Sequence, residues 1–194
     1  MKKLALAAIV AATSISASLA AQAQGQFFVN GNAGQSSYRL GALEHKSSEA
    51  YAINAGYRWA ITPVFDLGLE GGYTTLGHGS ADGAFGGTLG TTRLKVRGWT
   101  LGGNAKFNIG EQFYTTARFG NFHSRTGLTA VAFDNKVALG SSDNGWYGGI
   151  GAGYNLLPNL SVGVAYDTYH SHARVLGDGY ITTGVYSANA EFRF

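Results

Sequence analysis

The sequence predicts an all-β chain, an eight-stranded antiparallel up-and-down transmembrane β-barrel. Three observations carry that expectation. At the C-terminus, Tyr186, Ala188, Ala190, Phe192 and Phe194 alternate with Ser187, Asn189, Glu191 and Arg193. Successive strand side chains point to opposite faces, so one face suits hydrocarbon and the other a polar interior. At the N-terminus, Met1-Lys2-Lys3 precedes an apolar run from Leu4 to Val10 and a small-residue stretch to Ala21-Gln22-Ala23. Those are the charged start, apolar middle and A-x-A site of a secretory signal. Between the ends lie 30 glycines, only 2 prolines and 13% aromatic residues. A disordered glycine-rich chain carries more proline and fewer aromatics. Glycine suits a narrow barrel, whose inward positions must vary in size to fit.

Cleavage after Ala23 divides the chain into a signal peptide, 1–23, and a barrel domain, 24–194, of about 171 residues by this rule. The apolar part of the leader is too short to span ~30 Å of hydrocarbon. No later apolar run approaches the length of a spanning helix. Without Lys2 and Lys3 the 14 basic residues fall to twelve against eleven acidic ones, a net charge of +1. Nucleic-acid binding therefore gains no support from charge. The absence of cysteine excludes disulfides, thiolate metal sites and cysteine nucleophiles.

The eight strands follow in order. The first, 26–37, sets Phe27, Val29, Gly31 and Ala33 against Asn30, Asn32 and Gly34. The second, 49–60, faces Tyr51, Ile53, Ala55, Tyr57 and Trp59 out and Ala52, Asn54, Gly56 and Arg58 in. The third, 64–76, alternates Phe65, Leu67, Leu69, Gly71 and Tyr73 with Asp66, Gly68, Glu70 and Gly72. The fourth, 92–108, faces Trp99, Leu101, Gly103, Ala105 and Phe107 out, against Thr100, Gly102, Asn104 and Lys106. Upstream, Leu94 and Val96 are out of phase with Trp99, so a bulge near Gly98 is expected to reset the register.

The fifth, 113–121, puts Phe113, Thr115, Ala117 and Phe119 opposite Tyr114, Thr116 and Arg118. The sixth, 145–154, puts Trp146, Ile150, Ala152 and Tyr154 opposite Tyr147, Gly149, Gly151 and Gly153. The seventh begins at Leu160, with Leu160, Val162, Val164 and Tyr166 out and Ser161, Gly163, Ala165 and Asp167 in. The eighth is the terminal segment. Short connections at 61–63, 109–112 and 155–159 alternate with long ones at 38–48, 77–91, 122–144 and 170–180. That is the pattern of short periplasmic turns and long outer loops. Pro63 and Pro158 fall in short turns, where no ladder hydrogen bond is lost. Tyr57, Trp59, Phe65, Phe107, Phe113 and Tyr154 gather at the turn side as an aromatic girdle. Tyr51, Tyr73, Phe119, Trp146, Tyr166 and Tyr186 form a second group toward the loops.

On these residues the chain resembles the small outer-membrane barrel families, the OmpA-type transmembrane domain and the OmpX/Ail group. The resemblance rests on strand count, loop pattern and the ending Phe192-Arg193-Phe194. It implies that Phe192 and Phe194 act as the assembly signal read by the insertion machinery, with Asn189 where the family usually has glycine. The linked peptidoglycan-binding domain of full-length OmpA proteins is not seen, so wall anchoring is not expected. The resemblance implies an integral protein of the Gram-negative outer membrane, surrounded by lipid and lipopolysaccharide. A host, phage or cell-surface ligand would meet its loops, and a monomer is expected.

Four acids and four bases are expected inside: Arg58, Asp66, Glu70, Lys106, Arg118, Asp167, Glu191 and Arg193. Unpaired charges in a narrow interior are very costly, so an ion-pair lining follows. Eight strands leave just enough interior for side chains to fill. The leading function is therefore non-enzymatic, in envelope integrity and surface contact or adhesion. A narrow or gated ion channel, whose pairs exchange as OmpA likeness would allow, is the alternative. A lipid A-modifying enzyme is more remote. Its family pattern is His-x-Ser on one strand face, whereas His123-Ser124 and His170-Ser171 are adjacent and point to opposite faces. His170 and His172 share a face, but two imidazoles make a weak metal site, so no metal and no cofactor are expected. His45 and His78 read as solvated loop residues. Gly149-Ile150-Gly151-Ala152-Gly153 lacks the strand-turn-helix context of a dinucleotide loop. The glycine-rich stretch 77–90 reads as a mobile loop.

Overall fold

Alternation with a period of two extends through eight strands, and a computed structural model shows them closing on themselves. Residues 25–39, 47–85, 88–132, 135–173 and 179–194 are described; the leader, His45 and the side chains of His78 and His172 lie outside that description. The strands are β1 (Gly25–Arg39), β2 (Ser47–Thr62), β3 (Phe65–Phe85), β4 (Thr88–Ile109), β5 (Phe113–Ala132), β6 (Asn135–Leu157), β7 (Leu160–Ala173) and β8 (Gly179–Arg193). Each pairs antiparallel with its neighbour in sequence, and β8 returns to β1. The expected eight-stranded up-and-down barrel is the fold. Its inward and outward sets follow the alternation on every strand.

One end carries the short turns. Pro63 and Val64 join β2 to β3, residues 110–112 join β4 to β5, and Pro158 and Asn159 join β6 to β7. Gly110 has φ 69° there, a conformation glycine adopts without a Cβ penalty.

The other end differs from expectation. Much of 77–91 and 122–144 is paired strand rather than loop. β3 and β4 stay in register out to Phe85↔Thr88, and β5 and β6 out to Ala132↔Asn135. Gly83 and Asn135 lie on these ribbons, paired with Gly90 and Ala132. Crossing a bilayer takes about 9–11 strand residues. With 20 to 23 residues each, β3 to β6 have about twice that length. Beyond the membrane both faces of a ribbon are wet. The apolar-polar alternation that marks a strand is then no longer required, although backbone pairing continues.

The bulge, too, lies elsewhere than the sequence predicts. β4 keeps unbroken register with β5 from Thr91 to Ile109, through Gly98. The irregularity lies on β3, between Thr75 and His78. The extra residue there is accommodated by Gly77 at φ 88°, and the Ser36 hydroxyl donates to the Leu76 carbonyl at 2.6 Å. Val96 therefore points inward, and it is buried. It breaks the polar-inside pattern because the upper lumen is apolar.

Outside, aromatic pairs mark two levels. At the turn end, Tyr57 packs edge-on against Phe27 and Trp59, and Phe113 against Tyr154. Phe65 is the register partner of Phe107. Toward the ribbons, Tyr73 packs on Trp99, Phe119 on Trp146 and Tyr166 on Tyr186. Along β4, the eight residues from Phe107 to Trp99 separate the levels by about 20 Å of axial height. The exposed residues between them include Leu69, Leu101, Ile150 and Val164. Leu69 is 60% exposed near the middle of this band. Leu69→Arg should cost roughly 2–4 kcal/mol of folding free energy in lipid vesicles. Urea titration in vesicles measures this, and normal folding would mean that β3 does not cross the bilayer.

Candidate functional site

The inward faces converge on a lumen with a charged lower half and an apolar upper half. Arg58 on β2 reaches across β1 to Glu191 on β8. Its Nη1 and Nη2 donate to Glu191 Oε1 and Oε2, both at 2.8 Å. Phe28 of β1 lies beneath the guanidinium, 3.8 Å from ring centroid to Cζ. Arg58 Nε donates to Asn104 Oδ1, and Asn104 Nδ2 donates to Glu70 Oε2 at 2.6 Å. Tyr147 Oη donates to the other Glu70 oxygen at 2.9 Å. A chain of contacts thus runs from β8 through β2, β4 and β3 to β6. In the ladder, Gly102 and Gly120 stand between Glu70 and Tyr147, so no side chain blocks the tyrosine's path.

Glu191 also gathers two cations from the turn end. Lys106 Nζ and Arg193 Nη1 each lie 3.5 Å from Glu191 Oε1. Asn155 Oδ1 accepts from Lys106 at 3.3 Å, from Arg193 at 3.2 Å and from Ser161 Oγ at 2.7 Å. Lys106 sits over the Tyr114 ring, 4.2 Å from its centroid. On the opposite wall Arg118 forms a separate two-toothed pair with Asp167, its Nε donating to Oδ1 at 2.6 Å and its Nη2 to Oδ2. Gly149 makes room for that pair, since a Cβ there would collide with Asp167 Oδ1.

The eight charges therefore divide unequally. Arg58, Glu191, Lys106 and Arg193 form one cluster, and Arg118 with Asp167 a second. Glu70 joins the first through Asn104 and holds no ion pair among the described residues. Asp66 faces Lys106 across the β3–β4 ladder but likewise forms no ion pair among the described residues. It lines a vestibule of about 990 Å³ at the turn end, with Arg58, Lys106, Asn155 and Arg193. Sequence reasoning selected charged inward residues and passed over the neutral ones that connect them. Asn104, Tyr147 and Asn155 carry no charge to flag them, although parity already put the first two inside.

Above the charges, Ala50, Leu76, Val96, Phe122, Tyr147, Tyr169 and Val185 form one buried cluster. Tyr147 is 1% exposed and stacks on Tyr169, which packs edge-on against Phe122. This apolar ceiling was not anticipated. Each of its residues comes from a different strand, β2 through β8, and no single segment reveals it.

The remaining candidates sit as follows. His123 faces outward with its Nδ1 2.6 Å from Asn144 Oδ1, while Ser124 is buried inside. His170 stacks on Trp146 at the outer face, while Ser171 is buried inside. Neither His–Ser pair shares a face. At the terminus, Phe192 packs edge-on against Phe194, and the Phe194 N–H donates to the Phe27 carbonyl at 3.0 Å.

A closed eight-stranded barrel with an apolar exterior band and a filled lumen defines a small membrane barrel. Residues 5–194 match the family described as the outer membrane protein beta-barrel domain, and the chain belongs to that family. Fold and family together support a Gram-negative outer-membrane location. Among solved structures, Ail, the attachment invasion locus protein of Yersinia pestis, is similar at 15% identity over 89% of this chain and 100% of that chain, with TM-score 0.60. Neisserial surface protein A is similar at 14% identity over 87% and 97%, with TM-score 0.61. A major outer membrane protein from Thermus thermophilus is similar at 17% over 88% and 99%, with TM-score 0.51. At these identities the likeness is one of fold. No curated protein sequence matches the chain.

Glu191 is 3% exposed and meets three cations. Glu191→Ala leaves Arg58, Lys106 and Arg193 without their shared carboxylate. It should cost about 3–5 kcal/mol where water stays out, and less where water enters from the vestibule. Tyr147→Phe removes one neutral donor to a carboxylate and should cost about 1.5–3 kcal/mol. Denaturant titrations in vesicles rank the two.

Proposed function

We propose that this chain is a non-enzymatic integral outer-membrane protein that contributes to envelope integrity and to surface contact or adhesion. The observation that carries the reading is the pair of β-ribbons, β3–β4 and β5–β6, rising beyond the upper aromatic level above a filled lumen. A filled barrel offers no path for bulk solute, and paired ribbons give an ordered platform outside. The geometry of the His–Ser pairs gives no support to a lipid-modifying enzyme.

In this reading residues 1–23 are the cleaved signal, and Phe192 and Phe194 are recognised by the insertion machinery. Tyr57, Trp59, Phe65, Phe107, Phe113 and Tyr154 anchor the periplasmic interface, and the barrel acts as a monomer. Ail of Yersinia pestis forms a complex with the heparin analogue sucrose octasulfate. Sulfated glycans are accordingly the first soluble ligand class to offer the ribbons.

Cells displaying the intact barrel should adhere to epithelial monolayers or to immobilised sulfated glycan. Removing 79–94 and 128–139, with short turns in their place, should abolish adhesion and leave heat-modifiable folding unchanged. Adhesion that survives the trimming would move contact off the ribbons.

The open vestibule favours one second reading, a narrow gated channel. Opening the apolar ceiling by substitution tests one reading against the other. Planar bilayers holding the intact barrel should stay silent, whereas Phe122→Ala with Tyr147→Ala should conduct. Steady conductance from the unaltered chain would instead support the channel.

A further inference from the structure

The lumen accounts for the inward charges but not for three cations on the outside. Lys95, Arg97 and Arg125 all point outward and are exposed. Arg97 and Arg125 are direct register partners, and Ser142 continues their row on β6. Like charges directly opposite on one face repel and destabilise the sheet. None of the three cations forms an ion pair among the described residues. No carboxylate lies on this face of β4, β5 or β6 between the row of Trp99, His123 and Asn144 and the row of Lys95, Gly127 and Gly140. Among the described residues, Asp143 on β6 points inward and is buried, while Glu49, exposed on the outer face of β2, lies beyond β3 and accepts from the Tyr51 hydroxyl at 2.9 Å.

The cations wall a built concavity. Gly127 and Gly140 occupy the row beyond the arginines, with open space where a Cβ would stand. The groove has about 470 Å³, with Lys95, Arg97 and Arg125 around it and Ser142 at its edge. That is ample for a phosphorylated sugar headgroup. An anionic group among these three cations is the component this arrangement lacks.

Height identifies its source. Arg97 stands two residues above Trp99 on the same face, about 5 Å further along the barrel axis. Bilayers place roughly 5–7 Å of headgroup outside each face of the hydrocarbon. The two arginines therefore stand at headgroup level, and Leu101, Phe119 and Ile150 present an apolar wall below for acyl chains. Two guanidiniums and an ammonium exceed what the single charge of a phosphodiester balances. A phosphomonoester offers up to two charges and three acceptor oxygens, and guanidinium forks match its geometry.

We propose that Arg97, Arg125 and Lys95 form a binding site for a lipid A phosphomonoester of outer-leaflet lipopolysaccharide. The site rests on the outward orientation of the long ribbons and not on what those ribbons bind. The bound phosphate would relieve the Arg97–Arg125 repulsion and tie the barrel to its lipid surroundings.

The test uses the folded barrel in phosphatidylcholine vesicles with graded fractions of diphosphoryl lipid A. Saturation is read from the rise in unfolding temperature by heat-modified migration. Diphosphoryl lipid A should stabilise the barrel saturably, whereas dephosphorylated lipid A and charge-matched phosphatidylglycerol should not. Arg97→Gln with Arg125→Gln should raise the half-saturating fraction about thirtyfold, at about one cation's surface contribution each. Lys95→Gln should shift it less, and the double Arg→Lys variant should recover part of the loss. Equal stabilisation by phosphatidylglycerol, unaltered saturation of the double Gln variant, or displacement of lipid A by a soluble sulfated oligosaccharide would each overturn the site. The wild-type lipid comparison decides even where a variant folds poorly. Adhesion lost on ribbon trimming but kept in the double Gln variant separates this site from the surface-contact reading.

Discussion

The pairing of β8 with β1 is the contact on which the rest of the structure depends. It runs from Phe28↔Arg193 to Arg39↔Thr182 and removes the two edges that an open sheet would present. In hydrocarbon an unpaired N–H or C=O has no water to turn to, at a cost of several kcal/mol for each group. Closure satisfies them all at once. It also sets the number of strands around the lumen, and eight strands leave an interior that side chains can fill.

A narrow interior dictates how its charges are arranged. Arg58, Lys106, Arg193 and Glu191 lose most of their hydration there, so they share hydrogen bonds and neutral intermediaries such as Asn104 and Asn155. Buried ion pairs roughly break even against well-packed apolar groups, while losing one partner is expensive. Such a cluster is therefore better understood as selecting one register than as adding net stability. If β8 slipped by one residue, Glu191 would turn toward lipid, where no guanidinium could reach it. The apolar ceiling of Phe122, Tyr147 and Tyr169 supplies packing that the charged layer does not. Tyr147 belongs to both halves, with its ring in the ceiling and its hydroxyl on Glu70.

The exterior obeys the same two-residue period with a different vertical order. Turn-side aromatics, an apolar band, upper aromatics and then cations follow one another along β4 as Phe107, Ala105, Leu101, Trp99, Arg97 and Lys95. Each residue type stands at the depth where its solvation is cheapest. Among the described residues, the opposed Arg97 and Arg125 depart from this economy. A position that costs stability without an internal partner is where an external ligand is most reasonably sought.

Strand number, the facing of side chains across the membrane band and the distinction between turn end and ribbon end were legible in the sequence, whereas the inward facing of Val96 was not. They depend on a local period read against two solvents, and any ten residues of β2 or β7 contain it. Tertiary structure decided what depends on register between strands remote in sequence. Arg58 and Glu191 are 133 positions apart, and nothing local to either names the other. The bulge fell on β3 instead of β4 because Val96 answers to an apolar ceiling assembled strand by strand around the barrel. Ribbon length was hidden because wet strands need no alternation. The Arg97–Arg125 pair was hidden for the same reason as the ion pairs, since only the alignment of β4 on β5 brings two ordinary surface arginines face to face.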